Sequence, residues 1–386
     1  MEYPLTFTTW DNKENLAIAK VVKSGFFSMG KNVSEFEKKF AKYLGRKYAV
    51  MVNSGSSANL LSISSFFYKK KNKLKINDEV IVPAIAWSTT YSPLKQLGLK
   101  VKVVDVKIDD LNVDIEQLEK AITSKTKMII GVSILGVPAR LDKIKQFCRR
   151  KKIIFFEDNC ESLGSKIGSK KTGTFGDISS HSFFYSHHIS TMEGGMCVTD
   201  DYELYCIMLA MRAHGWTREL PRNNPLTSKK NDVAYNFVLP GYNLRPGEIH
   251  AAIGLEQIKK LDKLIRYRVK NWKLFYKLFS NDERFIIQKT KNFNSSFALT
   301  LILKKSNNKF KEKIFATLKE NNIAYRLITG GCFTKHPYAK YFKPKIYGKL
   351  TNSIKAHMDG FFIGNAGQDL TKEINKLYSV LKPLKV

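Results

Sequence analysis

The sequence predicts an α/β protein in which a large, mainly parallel sheet carries helices on both faces and is followed by a smaller α/β unit. Three observations predict it. Between residues 30 and 260, short apolar runs alternate with amphipathic stretches, the pattern of strands separated by helices. From 213 to 248 that alternation lapses into a polar stretch rich in Pro, Gly, Asn and Trp; a loop this long in a compact domain is more often functional than decorative. A helical run over 249–275 then leads into a second strand–helix alternation. The 386 residues suffice for two domains, divided at 1–260 and 261–386, with residues 1–28 expected to pack on the smaller unit.

Taken in order, strands are expected at 48–52, 79–82, 101–105, 128–134, 153–157, 178–184 and 196–199, each a short apolar run. Amphipathic stretches between them predict helices at 56–67, 88–97, 115–122, 141–150 and 201–213. In the second unit, strands at 297–303 and 324–328 flank a helix at 310–321. Ligands of such sheets sit beyond the carboxyl ends of the strands, so the residues just after each strand are where chemistry is sought.

Composition narrows the function. Hydrophobic residues make up 43% and aromatics 12%, ample for a buried core, which excludes disorder for most of the chain. The 65 Lys and Arg against 34 Asp and Glu leave a net charge of +31. Such a balance suits nucleic acid, an anionic membrane or an acidic small substrate. The lysines are spread from Lys13 to Lys385 and no nucleic-acid-binding module is recognisable, so the reading is a solvated lysine-rich surface that helps attract anionic ligands. The five cysteines show neither CxxC nor metal-type spacing, which excludes a disulfide frame and a zinc site and fits reduced thiols in the cytoplasm. No apolar run approaches the ~18 residues of a membrane helix, so a soluble protein without a membrane partner is expected.

Three segments carry the chemistry. In the first, a strand ends at Asn53 and Ser54-Gly55-Ser56-Ser57 opens a helix. A helix N-terminus with a glycine for close approach binds phosphate, although Ser-Gly-Ser also serves as an ordinary cap. In the second, an apolar strand delivers Glu157 and Asp158 at its carboxyl end, with Glu161 just beyond. An acid there can bind a metal, act as a base, pair with a protonated ring nitrogen, or simply cap a helix. The third runs from Ser182 through His187 and His188 to Glu193-Gly194-Gly195. Adjacent histidines on an extended segment point to opposite sides, so at most one faces a given pocket and a His-His metal site is not expected.

In order and spacing, these segments resemble the sugar aminotransferases of the DegT/DnrJ/EryC1 family, which depend on pyridoxal 5'-phosphate (PLP). The likeness runs over nearly the whole chain, from Ser28-Met29-Gly30 through Gly241-Tyr242-Asn243-Leu244-Arg245 to the C-terminal unit. It implies the fold-type I architecture of aspartate aminotransferase and a homodimer. One departure matters. The family places its cofactor-linking lysine six residues before the Glu of Glu-Gly-Gly and five after the Ser of Ser-Phe, and both counts arrive at His187. Imidazole cannot form the Schiff base that an amine forms, so PLP, or its amino form pyridoxamine 5'-phosphate, is expected to bind non-covalently.

The tracts 86–91, 187–195 and 212–218 resemble more narrowly a branch of the family that removes the C3 hydroxyl from a GDP-linked 4-keto-6-deoxy sugar, with L-glutamate as nitrogen donor and release of ammonia. Another histidine-bearing branch holds an iron–sulfur cluster on cysteines, which the scattered cysteines here do not match. By resemblance, His187 is the acid–base residue and His214 a second polar group near the sugar. Gly55, Ser56 and Ser182 are expected at the cofactor phosphate, Asn243 reaching it from the other subunit. Trp87 is expected to stack on the pyridine ring, Asp158 to pair with its nitrogen, and Glu161 to lie near its 3-hydroxyl. Arg218, Arg245 and Arg326 are candidates for the pyrophosphate, which suits a guanidinium fork. The alternatives are an aminotransferase-like protein without its lysine that acts on another nucleotide sugar, and a non-catalytic descendant.

Overall fold

A computed structural model describes residues 2–227 and 235–385. The apolar runs of the first half form β1 (Tyr48–Val52), β2 (Glu79–Pro83), β3 (Lys100–Val104), β4 (Thr126–Val132) and β5 (Ile154–Asp158). A small hairpin, β6 (Lys166–Ile167) and β7 (Lys170–Lys171), precedes β8 (Ile178–Ser182) and β9 (Gly195–Thr199). The last third supplies β10 (Phe285–Ile286), β11 (Ala298–Leu303), β12 (Tyr325–Leu327), β13 (Lys345–Tyr347) and β14 (Gly360–Gly364). The large sheet has the order β1-β9-β8-β5-β4-β2-β3-β13, and a second sheet the order β10-β11-β14-β12.

The strands β8-β5-β4-β2-β3-β13 run parallel, and β9 pairs antiparallel with both β1 and β8. Connection length explains the exception: residues 183–194 contain no crossover helix, and a strand returning without one pairs antiparallel. Two expected strands are shorter than their apolar runs. Residues 133 and 134 leave β4 for a turn in which Leu135 has a left-handed φ of 52°. Phe183 and Phe184 leave β8 for the loop that returns to β9, which the Thr191 N–H closes by donating to the Phe183 carbonyl at 2.9 Å.

The helices are α1 (Asn12–Ser24), α2 (Lys31–Leu44), α3 (Gly55–Ser65), α4 (Ser88–Gln96), α5 (Ile115–Ala121), α6 (Leu141–Lys151), α7 (Tyr202–Arg212), α8 (Glu248–Phe279), α9 (Asn308–Glu320), α10 (Thr351–Asp359) and α11 (Thr371–Leu381). In α2 the buried residues Val33, Phe36, Phe40 and Leu44 fall at helical spacing and make one apolar stripe. Their partners are Leu261, Leu264 and Ile265 of α8, and each fully buried aromatic or aliphatic side chain there contributes about 1.5–3 kcal/mol. Gly30 at the N-cap of α2 has no side chain to offer. Instead Glu248, the first residue of α8, accepts the N–H groups of Gly30, Asn32 and Val33 at 2.7–3.0 Å.

Helix α8 is continuous for 32 residues and passes through 260 and 261 without a break. Its last turns put Phe275 and Phe279 into a separate core with β11, β14, α9 and α11, and Tyr3 packs in the same core. Tyr3 also bridges to Ile323 and donates its hydroxyl to the Gly364 carbonyl at 2.9 Å. Ala298, Ile328, Cys332 and Phe333 pack into the core of the large sheet. The boundary between the two units therefore runs through shared side chains rather than along a linker.

Candidate active site

Beyond the carboxyl ends of β1, β5 and β8 lies a cavity of about 740 Å³, walled on its far side by β12 and the start of β11. Ser54, Gly55, Ser56, Trp87, Asp158, Glu161, Ser182, His187, Glu193 and Arg326 all line it.

The turn after β1 forms one end. Ser54 caps α3 by accepting the Ser57 N–H at 3.0 Å, while the N–H groups of Gly55 and Ser56 lie in the first turn, where no helical carbonyl can reach them. Gly55 has to be glycine: a Cβ there would stand 2.5 Å from the Ser182 Cβ and 2.9 Å from its Oγ. That contact brings the Ser182 hydroxyl against the helix N-terminus, so two free N–H groups, hydroxyls and the positive end of the dipole converge as an anion site.

Strand alternation separates the two acids of β5. Glu157 turns away from the cavity and accepts N–H groups from Gly173, Phe175 and Gly176, with burial pushing its pKa up. Asp158 turns toward the cavity, where Asn59 Nδ2 donates to it at 3.0 Å and Thr90 Oγ1 at 2.8 Å. Neither donor is a cation, so no ion pair occupies the carboxyl group. Glu161 accepts the Leu135 N–H at 2.8 Å and the Thr329 hydroxyl at 3.0 Å. Burial raises its pKa to about 7 against those two hydrogen bonds, with Asp158 adding to the rise.

His187 is half-buried, its ring 5.1 Å from that of Phe297. Its Nδ1 lies 2.8 Å from the Cys160 carbonyl, which can only accept, so Nδ1 carries the proton and Nε2 is the free base. Burial lowers its pKa to about 4; the bond to Cys160 opposes the shift and the charge of Arg268 adds to it. His188 is buried on the other side, Nε2 at 3.0 Å from Ser295 Oγ, so only one of the pair reaches the cavity.

The remaining expected residues lie elsewhere in this chain. His214, with φ at 64°, Arg218, Asn243 and Arg245 do not line the cavity. Asn243 bridges to Ala213 and accepts the Arg245 Nε–H at 3.0 Å, and the next residue, Leu244, receives the Asn53 N–H at 3.0 Å. This segment thus runs beside the turn after β1 and outside the cavity of its own chain. Sequence reasoning missed Asn59, Thr90, Thr329 and Phe297, which orient the functional groups. Only Asn59 and Thr90 stood near a motif; the others come from distant elements.

The model of the DegT/DnrJ/EryC1/StrS aminotransferase family matches residues 8–374. The chain belongs to that family. Among its DegT/DnrJ/EryC1/StrS relatives, GDP-4-keto-6-deoxy-D-mannose 3-dehydratase of Yersinia pseudotuberculosis is 46% identical over 387 residues, covering 99% of this chain and 98% of the relative. A crystal structure of GDP-4-keto-6-deoxymannose-3-dehydratase with a trapped PLP-glutamate geminal diamine superimposes with a TM-score of 0.96 at 45% identity, covering 99% and 100% of the two chains. A mutant of that dehydratase with bound GDP-perosamine gives 0.95 at 45%, covering 98% and 100%. The fold is that of the fold-type I PLP enzymes, as the sequence predicted.

The cavity fits PLP on its own chemistry. An anion cradle closed by the Gly55–Ser182 contact stands at one end, a buried carboxylate without a cationic partner in the middle, and the half-exposed indole of Trp87 on the wall. The Asn59 Oδ1 atom, buried beside Asp158, has no hydrogen-bond partner.

Proposed function

We propose that the chain is a PLP- and glutamate-dependent 3-dehydratase acting on GDP-4-keto-6-deoxy-D-mannose. The observation that carries the reading is His187: the position where the family carries its lysine holds an imidazole of fixed tautomer, with Nε2 free in the cavity.

The chain's residues divide the work. Gly55, Ser56 and Ser182 would hold the phosphate of the cofactor, Trp87 the face of its ring, Asp158 its nitrogen and Glu161 the neighbourhood of its 3-hydroxyl. In its pyridoxamine form the cofactor supplies an amine that condenses with the sugar ketone and a conjugated ring that accepts an electron pair. His187, neutral at physiological pH, would accept at Nε2 the proton that the C4′ carbon of the cofactor gives up. Its low pKa then makes the imidazolium a strong acid, able to protonate the departing C3 hydroxyl as water. Position 187 offers no amine to displace the product, so water releases it and nitrogen leaves as ammonia. Glutamate restores the amine and leaves as 2-oxoglutarate. Arg326, on the cavity wall, would meet phosphate oxygens of the nucleotide.

A second copy of the chain would bring Asn243 to the phosphate, with His214, Arg218 and Arg245 on the same segment. No helix among the described residues is long and apolar enough to cross a membrane, which supports a cytoplasmic place of action. The test is mass spectrometry of the product from GDP-4-keto-6-deoxymannose, PLP and glutamate. Loss of one oxygen without gain of nitrogen is expected, together with 2-oxoglutarate and ammonia; a stable amino sugar overturns the reading.

A further inference from the structure

Behind His187 stands a buried cation that neither the phosphate cradle nor the ring contacts require. Arg268 of α8 is 2% exposed. Its NH1 group donates to the carbonyls of Phe297 and Asn365 at 3.1 Å and approaches that of Ser296 at 3.4 Å; NH2 lies 3.4 Å from the carbonyl of His187. The guanidinium also lies 6.0 Å from the ring of Phe297, the ring that packs on the His187 imidazole. Its Nε has no partner, and the hydrogen bonds of its guanidinium go to carbonyls. A buried charge is ordinarily paired, because removing it from water is costly. Here every acceptor is a neutral carbonyl, so the positive charge stays without a counter-ion beside the His187 backbone.

The same turn reaches the second titratable group of the cavity. The Phe297 N–H donates to the Leu135 carbonyl at 2.8 Å, and the Leu135 N–H donates to Glu161. Residues 296 and 297 are thus fastened to Arg268 on one side and, through Leu135, to Glu161 on the other.

We propose that Arg268 is a positioning residue for His187: it ties the His187 carbonyl to the 296–297 turn and sets an unpaired positive charge behind that loop, adding to the burial that already disfavours the imidazolium. The proposal rests on the reading of His187 as the base. Other charged or titratable groups that line the cavity with that imidazole are Asp158 at the end of β5, Cys160 and Glu161 just after it, Tyr185 and Glu193 in the His187 loop, and Arg326 from β12. Burial disfavours the protonated imidazole most, the Cys160 carbonyl favours it, and Arg268 acts in the same direction as burial.

The test is an NMR titration of histidine Cε1–H groups in PLP-loaded protein, with His187 assigned through His187→Asn, alongside the pH–rate profile and thermal melting. In the wild type His187 is expected to titrate at least about one unit below its ordinary 6.5. Arg268→Met should raise that midpoint by about one unit and move the acid limb of the rate profile with it. Arg268→Lys keeps the charge but loses the fork, so it should hold the midpoint while kcat falls about tenfold. A folded Arg268→Met variant with the wild-type midpoint overturns the proposal. So does a wild-type midpoint at or above 6.5, which decides the matter even where Arg268→Met does not fold. If the wild type makes no dehydrated product, the dehydratase reading fails separately, because the titration needs no turnover.

Discussion

His187 illustrates how a residue acquires a role that its type alone does not give. Its spacing is written in the sequence, but its tautomer comes from the Cys160 carbonyl and its lowered pKa from burial. It shares that burial with His181, whose pKa falls to about 3, and with His188, lowered well below 6.5. For all three the folded value lies below the unfolded one. Full stability is therefore present above pH 6.5 and is lost as the pH falls toward the folded values, where the unfolded chain binds protons that the native state refuses. Each such group contributes a slope of about 1.4 kcal/mol per pH unit, and the three together about 4. Glu161, Glu37 and Glu157 have raised values and offset part of it. Thermal melts from pH 8 to pH 5 should show a falling midpoint, and His188→Gln should flatten the curve by about one histidine's share. A His188→Gln curve as steep as that of the wild type contradicts a buried neutral imidazole at that position.

The functional elements meet where backbones come close. The N-terminus of α3 approaches the end of β8 because neither Gly55 nor Gly195 carries a side chain; a Cβ on Gly195 would run into the Ser54 carbonyl. Gly55→Val is accordingly expected to force Ser182 aside at a cost of about 1–3 kcal/mol and to weaken PLP binding at least tenfold, read by absorbance titration. Combining it with Ser182→Gly should recover melting temperature more than cofactor affinity, since the space returns but the hydroxyl does not. Equal recovery of both would mean that Ser182 fills space without touching the phosphate. The turn, its serines and its glycine were legible in sequence because a helix start has a local signature. The carbonyl of Cys160, which fixes the tautomer of His187 from 27 residues away, had none.

At the scale of the molecule, the segment carrying His214, Arg218, Asn243 and Arg245 lies beside the phosphate turn yet outside the cavity of its own chain. A symmetric dimer would present it to the neighbouring site. Mixing His187→Asn with Asn243→Ala, each nearly inactive alone, should then restore about a quarter of wild-type turnover, because half of the dimers are mixed and each has one intact site. No recovery would show that Asn243 serves its own chain. The net charge of +31 suits phosphorylated and carboxylate substrates, all of them anionic, though the dispersed lysines build no site among the described residues.

The sequence by itself determined the layered fold, the helix start after β1 and the acid at the end of β5, because each depends on neighbours within a few residues, and the family resemblance marked His187 as standing where that family carries its lysine. The expectation that the adjacent histidines face apart assumed an extended segment; they lie in a bend instead, and still only His187 lines the cavity. Only the tertiary structure decided which of them enters the cavity, that Asp158 is held by Asn59 and Thr90, and that Arg268 stands uncompensated behind His187. It also decided that α8 runs unbroken through 260 and 261, with β13 returning to the large sheet and the two units sharing a core. Those facts depend on burial and on contacts between residues about 30 to 300 apart in the chain, where hydrogen bonds and charges are set by packing rather than by local pattern.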